Sequence, residues 1–476
     1  MRKKRSFFAL FLALCLLLCP CTALADTLGE ISEAELQVDC GSCLLADMDS
    51  GTVLYGQDND QRIYPASVTK VLTALVVLRH IDQGDLSLYD TVTVSKTFRE
   101  GLTYQAAVAD LSTGEQVDIE QLLYMLLLPS ACDAANVLAE AASGSVADFA
   151  EEMNDTAEEL GCTDSHFVNP SGLHSDDHYT TCNDLFLIGK AAYGYETFRN
   201  IVGSKSHTVP ATNNHGERLL HNTNALISSH NHSEYLYEPC KGGKTGSTNP
   251  AGFCLLSYAE QDNLRLCCVM MGCDWHYDAN WNKIWPQYYE SVRLYKWGFE
   301  HYERRTVVEK GSEQGSVPVS DAREGKDATV GLKAKKSIKA IVGKDVKEAD
   351  LKFTAQLPEE VIAPVKEGDK LGTLTVALDG RTLGTTDLLA VADVEKRPRI
   401  LDRLGGFAHH PRGVSPIGIV LGLVGLVLLF FLVQALRRRA WRRRRARERA
   451  QRRRRAKRNE WNRFSGKNGE DGTNDE

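Results

Sequence analysis

Between Val414 and Leu436 the sequence contains no charged residue, and Arg437-Arg438-Arg439 follows at once. An uncharged, mostly apolar run of this length can cross a bilayer as a helix, so it divides the chain into two compartments. Sixteen Lys and Arg residues lie between Arg437 and Arg463. The positive-inside rule therefore predicts a cytoplasmic tail over 437–476, with everything before the span outside. The ordinary role of such a basic run is stop-transfer and contact with lipid headgroups. The N-terminus predicts the same orientation independently. Arg2-Lys3-Lys4-Arg5, the apolar run from Phe7 to Leu18 and then Ala23-Leu24-Ala25 read as a secretory signal over residues 1–25. The apolar run is short for a retained anchor. Leu14, Leu18 and Pro20 precede Cys15, Cys19 and Cys21, where a lipoprotein signal would want a small residue.

Charge is distributed to match. The net charge of −7 conceals an acidic body, because residues 26–436 hold 57 Asp and Glu against 35 Lys and Arg. An acidic surface repels nucleic acid and favours solubility outside the cell, so no nucleic-acid partner is expected. Three of the 13 cysteines fall in the signal, and the other ten lie between Cys40 and Cys273. Cys40-Gly41-Ser42-Cys43 is a lone C-x-x-C without the second pair that a four-cysteine zinc site needs. Export permits disulfides, but small buried hydrophobes are an equally good role for most of these thiols, and the thiol state stays open.

Taken in order, Ser42–Ala46 and Thr52–Tyr55 flank Asp49-Ser50-Gly51 and predict a hairpin. A helix follows: Pro65 suits its first turn, Val71 to Ile81 is apolar, and Gly84 is a natural stop. Ile119 to Leu128 predicts a buried helix, broken at Pro129-Ser130, with an Ala-rich helix over Ala131–Ala142. Gly252–Tyr258 and Leu264–Met271 predict two strands around the turn Gln261-Asp262-Asn263, and Trp-rich residues 275–300 a closing helix. Strands at both ends with helices between imply an α+β domain with an antiparallel sheet, flanking helices and a helical subdomain. Beyond Arg305 cysteine disappears, short Val/Thr/Lys/Gly runs take over and Asp379-Gly380 signals a hairpin, which predicts a separate small all-β domain. The expected division is a catalytic domain over 26–304, the β domain over 305–397, a linker over 398–413, one transmembrane helix over 414–436 and the basic tail.

Three short signals in this order carry chemistry. Ser67 and Lys70 share a helix face, so a neutral lysine amine one turn away can take the serine's proton. Helix N-terminal N–H groups there favour an oxyanion. Ser130 stands in a helix break, where it can pass a proton to a leaving amine, although taken alone it reads as the N-cap of the second helix. Lys244-Thr245-Gly246 precedes a strand: Lys244 offers positive potential to a substrate carboxylate, and Gly246 allows close approach of a peptide lying along the edge. The backbone N–H groups of Ser67 and Ser247 are candidates for an oxyanion hole. Each signal alone is common, whereas the ordered set is specific.

At these residues the chain resembles the serine-type D-alanyl-D-alanine carboxypeptidases, the low-molecular-weight penicillin-binding proteins. The likeness rests on Tyr64-Pro65-Ala66-Ser67-Val68-Thr69-Lys70, Pro129-Ser130-Ala131-Cys132-Asp133-Ala134-Ala135, Asn169-Pro170-Ser171-Gly172-Leu173-His174 with His178 and Thr181, and Lys244-Thr245-Gly246. It extends over roughly residues 38 to 396, and Ala363-Pro364-Val365 with Gly368 resembles the family's second domain. The resemblance implies a penicillin-binding, β-lactamase-like fold and removal of the terminal D-alanine from peptidoglycan peptide stems through an acyl-enzyme on Ser67. It also implies covalent trapping by β-lactams, and no metal or organic cofactor. Two departures stand out. The family usually has Asn where Cys132 lies, and its members often attach by an amphipathic C-terminal helix rather than a span. A β-lactamase-like hydrolase and a non-catalytic wall receptor that binds penicillin are the alternatives. The loop Asn169–Thr181 reads equally well as a structural turn.

Overall fold

The computed structural model describes residues 36–325, 328–397, 422–434 and 436–437. The expected signal at 1–25, the linker at 398–413 and the tail beyond Arg437 lie outside the described residues. Two compact units, Met1–Lys396 and Arg397–Glu476, divide the chain. In the second, residues 422–434 are helical. Among the described residues no helix is long and apolar enough to cross a membrane.

The first unit is built on a five-stranded antiparallel sheet. Its strands are β1 (Ser42–Asp47), β2 (Val53–Gln57), β3 (Cys240–Thr248), β4 (Gly252–Gln261) and β5 (Leu264–Cys273), in the spatial order β2-β1-β5-β4-β3. β5 reads Leu-Arg-Leu-Cys-Cys-Val-Met-Met and shows why the sheet is central. Successive side chains point to opposite faces; Cys267, Val269 and Met271 enter one core while Leu266, Cys268 and Met270 enter the other. The expected hairpin pairs Leu45 with Tyr55. Its turn is closed by the Asp47 carboxylate, which accepts from Ser50 N and Oγ at 2.8 and 2.7 Å.

Helices fill the first face: α1 (Lys70–Gln83), α2 (Ile119–Leu127), α3 (Cys132–Ser143), α4 (Val146–Glu159), α5 (Cys182–Tyr193) and α6 (Glu196–Gly203). Every residue of α1 from Lys70 to Leu78 is buried, and the helix stops at Gly84 with φ 84°, a left-handed conformation that glycine adopts at no steric cost. The break between α2 and α3 differs from the N-cap reading of Ser130. The N-cap is Ala131, without a side-chain cap, and Ser130 sits one residue earlier at φ 68°. Its hydroxyl caps none of the N–H groups of α3.

The other face is covered by α7 (Pro286–His301) and by the second β module. Only Pro286 onward is helical. Residues 275–285 instead form a two-stranded ribbon, His276–Tyr277 paired with Lys283–Ile284. Asp278 explains the difference, because its carboxylate accepts from Asn280 N and Asn282 N and closes a turn, a local alternative to helix that Asp offers the backbone. After α7, Tyr302–Val308 pairs with Ile338–Gly343, and a six-stranded sheet follows. Asp379 (φ 48°) and Gly380 (φ 84°) make the expected tight turn between Lys370–Leu378 and Arg381–Ala390. Arg304 fastens this module to the first hairpin, reaching the fully buried Asp47 at 2.5 Å and Asp49 at 2.6 Å.

Candidate active site

Ser67 lies on a single 3-10 turn, Ala66–Thr69, that runs directly into α1. Pro65 precedes the turn, and Ala66 has φ 46°, a strained conformation for a residue with a Cβ. The turn sets Ser67 and Lys70 as the sequence spacing requires: Lys70 Nζ and Ser67 Oγ are 2.9 Å apart. Lys70 is fully buried and also touches the Ser171 carbonyl at 2.6 Å and Cys132 Sγ at 3.3 Å. Burial lowers its pKa, opposed in smaller part by Cys132 and Asp133. A neutral amine has two N–H groups and one lone pair. With Ser171 O and Cys132 Sγ taking the N–H groups, the lone pair is left for the hydroxyl proton of Ser67.

Ser130 stands two residues before Cys132, the α3 residue that touches Lys70. Ser130 is 8% exposed and its Oγ has no hydrogen-bond partner. Among the described residues its hydroxyl is thus left to hydrogen-bond with something other than the protein. Its backbone strain is held by what surrounds it: Cys132 N donates to Ala107 O, and the buried Asp133 carboxylate accepts from Ala109 N, Leu111 N and Ala134 N.

β3 forms the opposite wall. A Cβ on Gly246 would stand 2.9 Å from Pro65 O and 3.0 Å from Ser67 N, so only glycine lets this strand lie against the Ser67 turn. Lys244 is fully buried, and its Nζ donates to Thr245 O at 2.7 Å. Its pKa falls well below the usual lysine range through burial, with repulsion from Lys70 second. Thr245 Oγ1 lies 2.6 Å from Thr223 Oγ1, and the exposed Ser247 sits next along the edge. The turn, the start of α3 and the strand thus bring Ser67, Lys70, Cys132, Lys244 and Gly246 together, with Ser130 two residues before Cys132 and with Thr245 and Ser247 on either side of Gly246.

The loop 169–178 is the part that spacing did not assign. Asn169 Oδ1 accepts from the N–H groups of Ser171, Gly172 and Leu173, which aims the Ser171 carbonyl at Lys70. Gly172, at φ 76°, packs so closely on Ala66 O that a Cβ would overlap it. Behind the turn, Val168 N donates to His178 Nδ1, leaving Nε2 to donate to Thr69 Oγ1 at 2.8 Å. Burial pushes the His178 pKa down to about 3, so the ring is neutral at ordinary pH. No group of three or more metal-ligating side chains occurs among the described residues.

Residues 29–274 match the D-alanyl-D-alanine carboxypeptidase family, and residues 302–396 match the C-terminal domain of penicillin-binding protein 5. A Bacillus subtilis D-alanyl-D-alanine carboxypeptidase, DacF, is 28% identical over 393 residues, 83% of this chain and 95% of its own. A Mycobacterium tuberculosis D-alanyl-D-alanine carboxypeptidase, DacB2, is 34% identical over 54% of this chain and 81% of its own length. Among solved structures, penicillin-binding protein 5 of Haemophilus influenzae superposes with a TM-score of 0.60 at 28% identity, covering 76% of this chain and 98% of that one.

Proposed function

The chain belongs to the D-alanyl-D-alanine carboxypeptidase family, and from that premise we propose that Ser67 is the nucleophile that cleaves the terminal D-alanine from peptidoglycan peptide stems. It is a serine peptidase, a hydrolase, with the penicillin-binding α+β fold and a C-terminal β domain. The observation that carries the residue roles is the 2.9 Å contact between Ser67 Oγ and a Lys70 whose burial favours the neutral amine.

In this reading the stem peptide lies along β3, its terminal carboxylate near Lys244 and Thr245. An arriving anion favours the charged form of Lys244, which restores the proton that burial disfavours. Ser67 Oγ attacks the carbonyl of the penultimate residue while its proton passes to Lys70 Nζ. The tetrahedral oxyanion is held by the N–H groups of Ser67 and Ser247. Collapse breaks the C–N bond, and the leaving nitrogen takes a proton through Ser130 Oγ, releasing D-alanine. Water then attacks the Ser67 ester, Lys70 accepts its proton and returns it to Ser67 Oγ as the ester bond breaks, and the shortened stem is freed. A β-lactam follows the first half of this path and remains on Ser67.

The decisive experiment incubates the full chain with a peptide ending in D-Ala-D-Ala and measures free D-alanine. Release abolished by Ser67→Ala supports the reading; penicillin labelling that survives Ser67→Ala sinks it. We further propose export by residues 1–25, a catalytic domain over 26–304, a β domain over 305–397 and a linker over 398–413. In this topology, residues 414–436 make a single membrane span, with the 437–476 tail in the cytoplasm. The charge pattern supports this arrangement. Protease added to wall-stripped cells should digest the body and spare a tail epitope, and a digested epitope would overturn it.

A further inference from the structure

The ribbon after β5 shows large aromatic rings to solvent. Trp275 is 43% exposed, Tyr277 52% and Trp281 81%, and their rings follow one another at 5.6 and 5.8 Å. Soluble proteins rarely display contiguous apolar surface without a use for it. The presentation is also rigid. Trp281 sits at φ 62°, strained for so bulky a residue, and is locked there because Trp281 N donates to Asp278 O while Asp278 N donates to Asn282 O. Lys283 lies 4.0 Å from the Trp275 ring centre and 4.3 Å from that of Trp285, which fixes the indoles on a charged pivot. Nothing in the catalytic reading uses any of these groups.

The row does not end at the ribbon. Trp281, Lys283 and Trp285 line a cleft of about 820 Å³ together with His232, Glu234 and Tyr235. His232 packs on Trp285 at 5.0 Å and on Tyr288 at 6.2 Å. Tyr288 OH donates to Thr223 O, and Thr223 Oγ1 meets Thr245 Oγ1. Trp285 also packs edge-on against Phe253 at 4.8 Å, and Phe253 pairs with Ser247, so the cleft adjoins the strand along which the stem peptide lies. Resting on the function proposed above, we propose that this ribbon and cleft bind the amino-sugar glycan to which the stem is attached.

The chemistry fits that occupant. A pyranose ring has an apolar C–H face that stacks on an aromatic ring and a hydroxyl and amide rim that hydrogen-bonds, and the cleft pairs indole and phenol faces with His232, Glu234 and Lys283. Charge disfavours the main competitor, an anionic lipid surface. Asp274, Asp278 and Glu234 belong to or flank the patch, as does Asp39, which pairs with His276 at 3.1 Å. Lys283, held between two indoles, is the one lysine or arginine on the ribbon. A membrane-seated aromatic belt would need the opposite balance.

The test compares the full chain with its Tyr277→Ala/Trp281→Ala variant, both side chains being exposed and neither having a part in the catalytic reading. Equal rates of penicillin acylation establish that the variant is folded. Binding to peptide-free amino-sugar glycan strands should fall at least tenfold. On glycan-linked stems kcat/KM should fall at least tenfold, chiefly through KM, while on a free D-Ala-D-Ala peptide it changes less than twofold. Equal glycan binding by the two proteins, or no glycan binding by the wild type, overturns the proposal. An equal loss on free peptide and on polymer does so too, since it would place the ribbon in catalysis. A variant that loses binding to phosphatidylglycerol vesicles but not to glycan assigns the patch to the membrane and also overturns it. Glycan binding lost with the rings, in a wild type that releases no D-alanine, upholds the glycan site and instead defeats the catalytic reading on which it rests.

Discussion

Buried charge is handled in opposite ways at two places in the molecule. At the seam between the first hairpin and the C-terminal β module, Asp47 is wholly inaccessible but satisfied by Arg304, Ser50 N and Ser50 Oγ. In the groove, Lys70 and Lys244 are as deeply buried, yet among the described residues neither has an ion-pair partner and Ser130 Oγ has no hydrogen-bond partner. A buried charge without a counter-ion is expensive, and the group moves its pKa to escape it. Both lysines do so. Compensation at the seam holds the fold together. In the proposed mechanism its absence in the groove keeps Lys70 a base and leaves Lys244 to be completed by a carboxylate that arrives with the substrate.

The largest effect expected from disturbing either place is loss of the nucleophile. Ser67→Ala should lower D-alanine release by a factor on the order of 10⁴–10⁶, as removal of a serine nucleophile does elsewhere. Lys70→Ala should come close to it, with thermal stability little changed or raised because an uncompensated buried amine is removed. The same contrast predicts a pH profile. The acylation rate should fall as pH drops through the lowered pKa of Lys70, because the protonated amine has no lone pair for Ser67. A rate that is flat down to acidic pH would assign the base elsewhere.

Breaking the seam comes next. Arg304→Ala strands Asp47 without its guanidinium, and loss of one partner of a buried pair costs about 3–5 kcal/mol. The prediction is a drop of that size in unfolding free energy, measured by denaturant titration, with kcat on a free peptide changed less than twofold. A variant that is stable but catalytically dead would mean that the two regions are not separable in the way the charges imply. Gly246→Ala makes the reverse test. A Cβ 2.9 Å from Pro65 O can be relieved only by moving backbone, and displacement near 1 Å in a reacting geometry costs up to about 100-fold. Acylation by penicillin should slow roughly 10- to 100-fold while the melting temperature moves little.

How far the sequence revealed these places follows from what kind of atom does the work. Ser67 and Lys70 are side chains three residues apart, so the helix expected between Pro65 and Gly84 already set them on one face. The central sheet was legible because β5 is apolar on both faces, and the Asp379-Gly380 turn because two positive φ angles admit few residues. The Ser171 carbonyl was not legible, since a backbone oxygen carries no side-chain signal. Only the turn-forming run Asn169-Pro170-Ser171-Gly172 hinted at it, and that run is equally good as an ordinary loop. The aromatic density of 275–285 suggested helix, whereas Asp278 and Asn282 made a ribbon, because local side-chain to backbone bonds outweighed apolar content. Arg304 was invisible for a different reason: its partners Asp47 and Asp49 are more than 250 residues away.

The smallest predicted effect concerns Cys132, which stands where the resemblance in sequence implied an asparagine. Its Sγ takes one of the two N–H groups that a neutral Lys70 can offer, at 3.3 Å, and sulfur is a weak acceptor. An asparagine carbonyl in that place would hold the same N–H more firmly and leave an amide N–H for the substrate. The gain is bounded by the worth of one neutral hydrogen bond, about 0.5–1.5 kcal/mol, or roughly two- to twelvefold in rate. Asn136, one turn along α3, does not supply the missing group, because its side chain is spent on the carbonyls of Phe98 and Glu100. Cys132→Asn should therefore raise kcat/KM on a D-Ala-D-Ala peptide by no more than about tenfold. Cys132→Ala should lower it by a similar or smaller factor, since Ser171 O still orients the amine. A wild type that is acylated by penicillin but releases no D-alanine, together with a Cys132→Asn variant that releases it readily, would show that the thiol disables peptide turnover. The groove would then be a receptor for its ligand, and its uncompensated charges would serve binding alone.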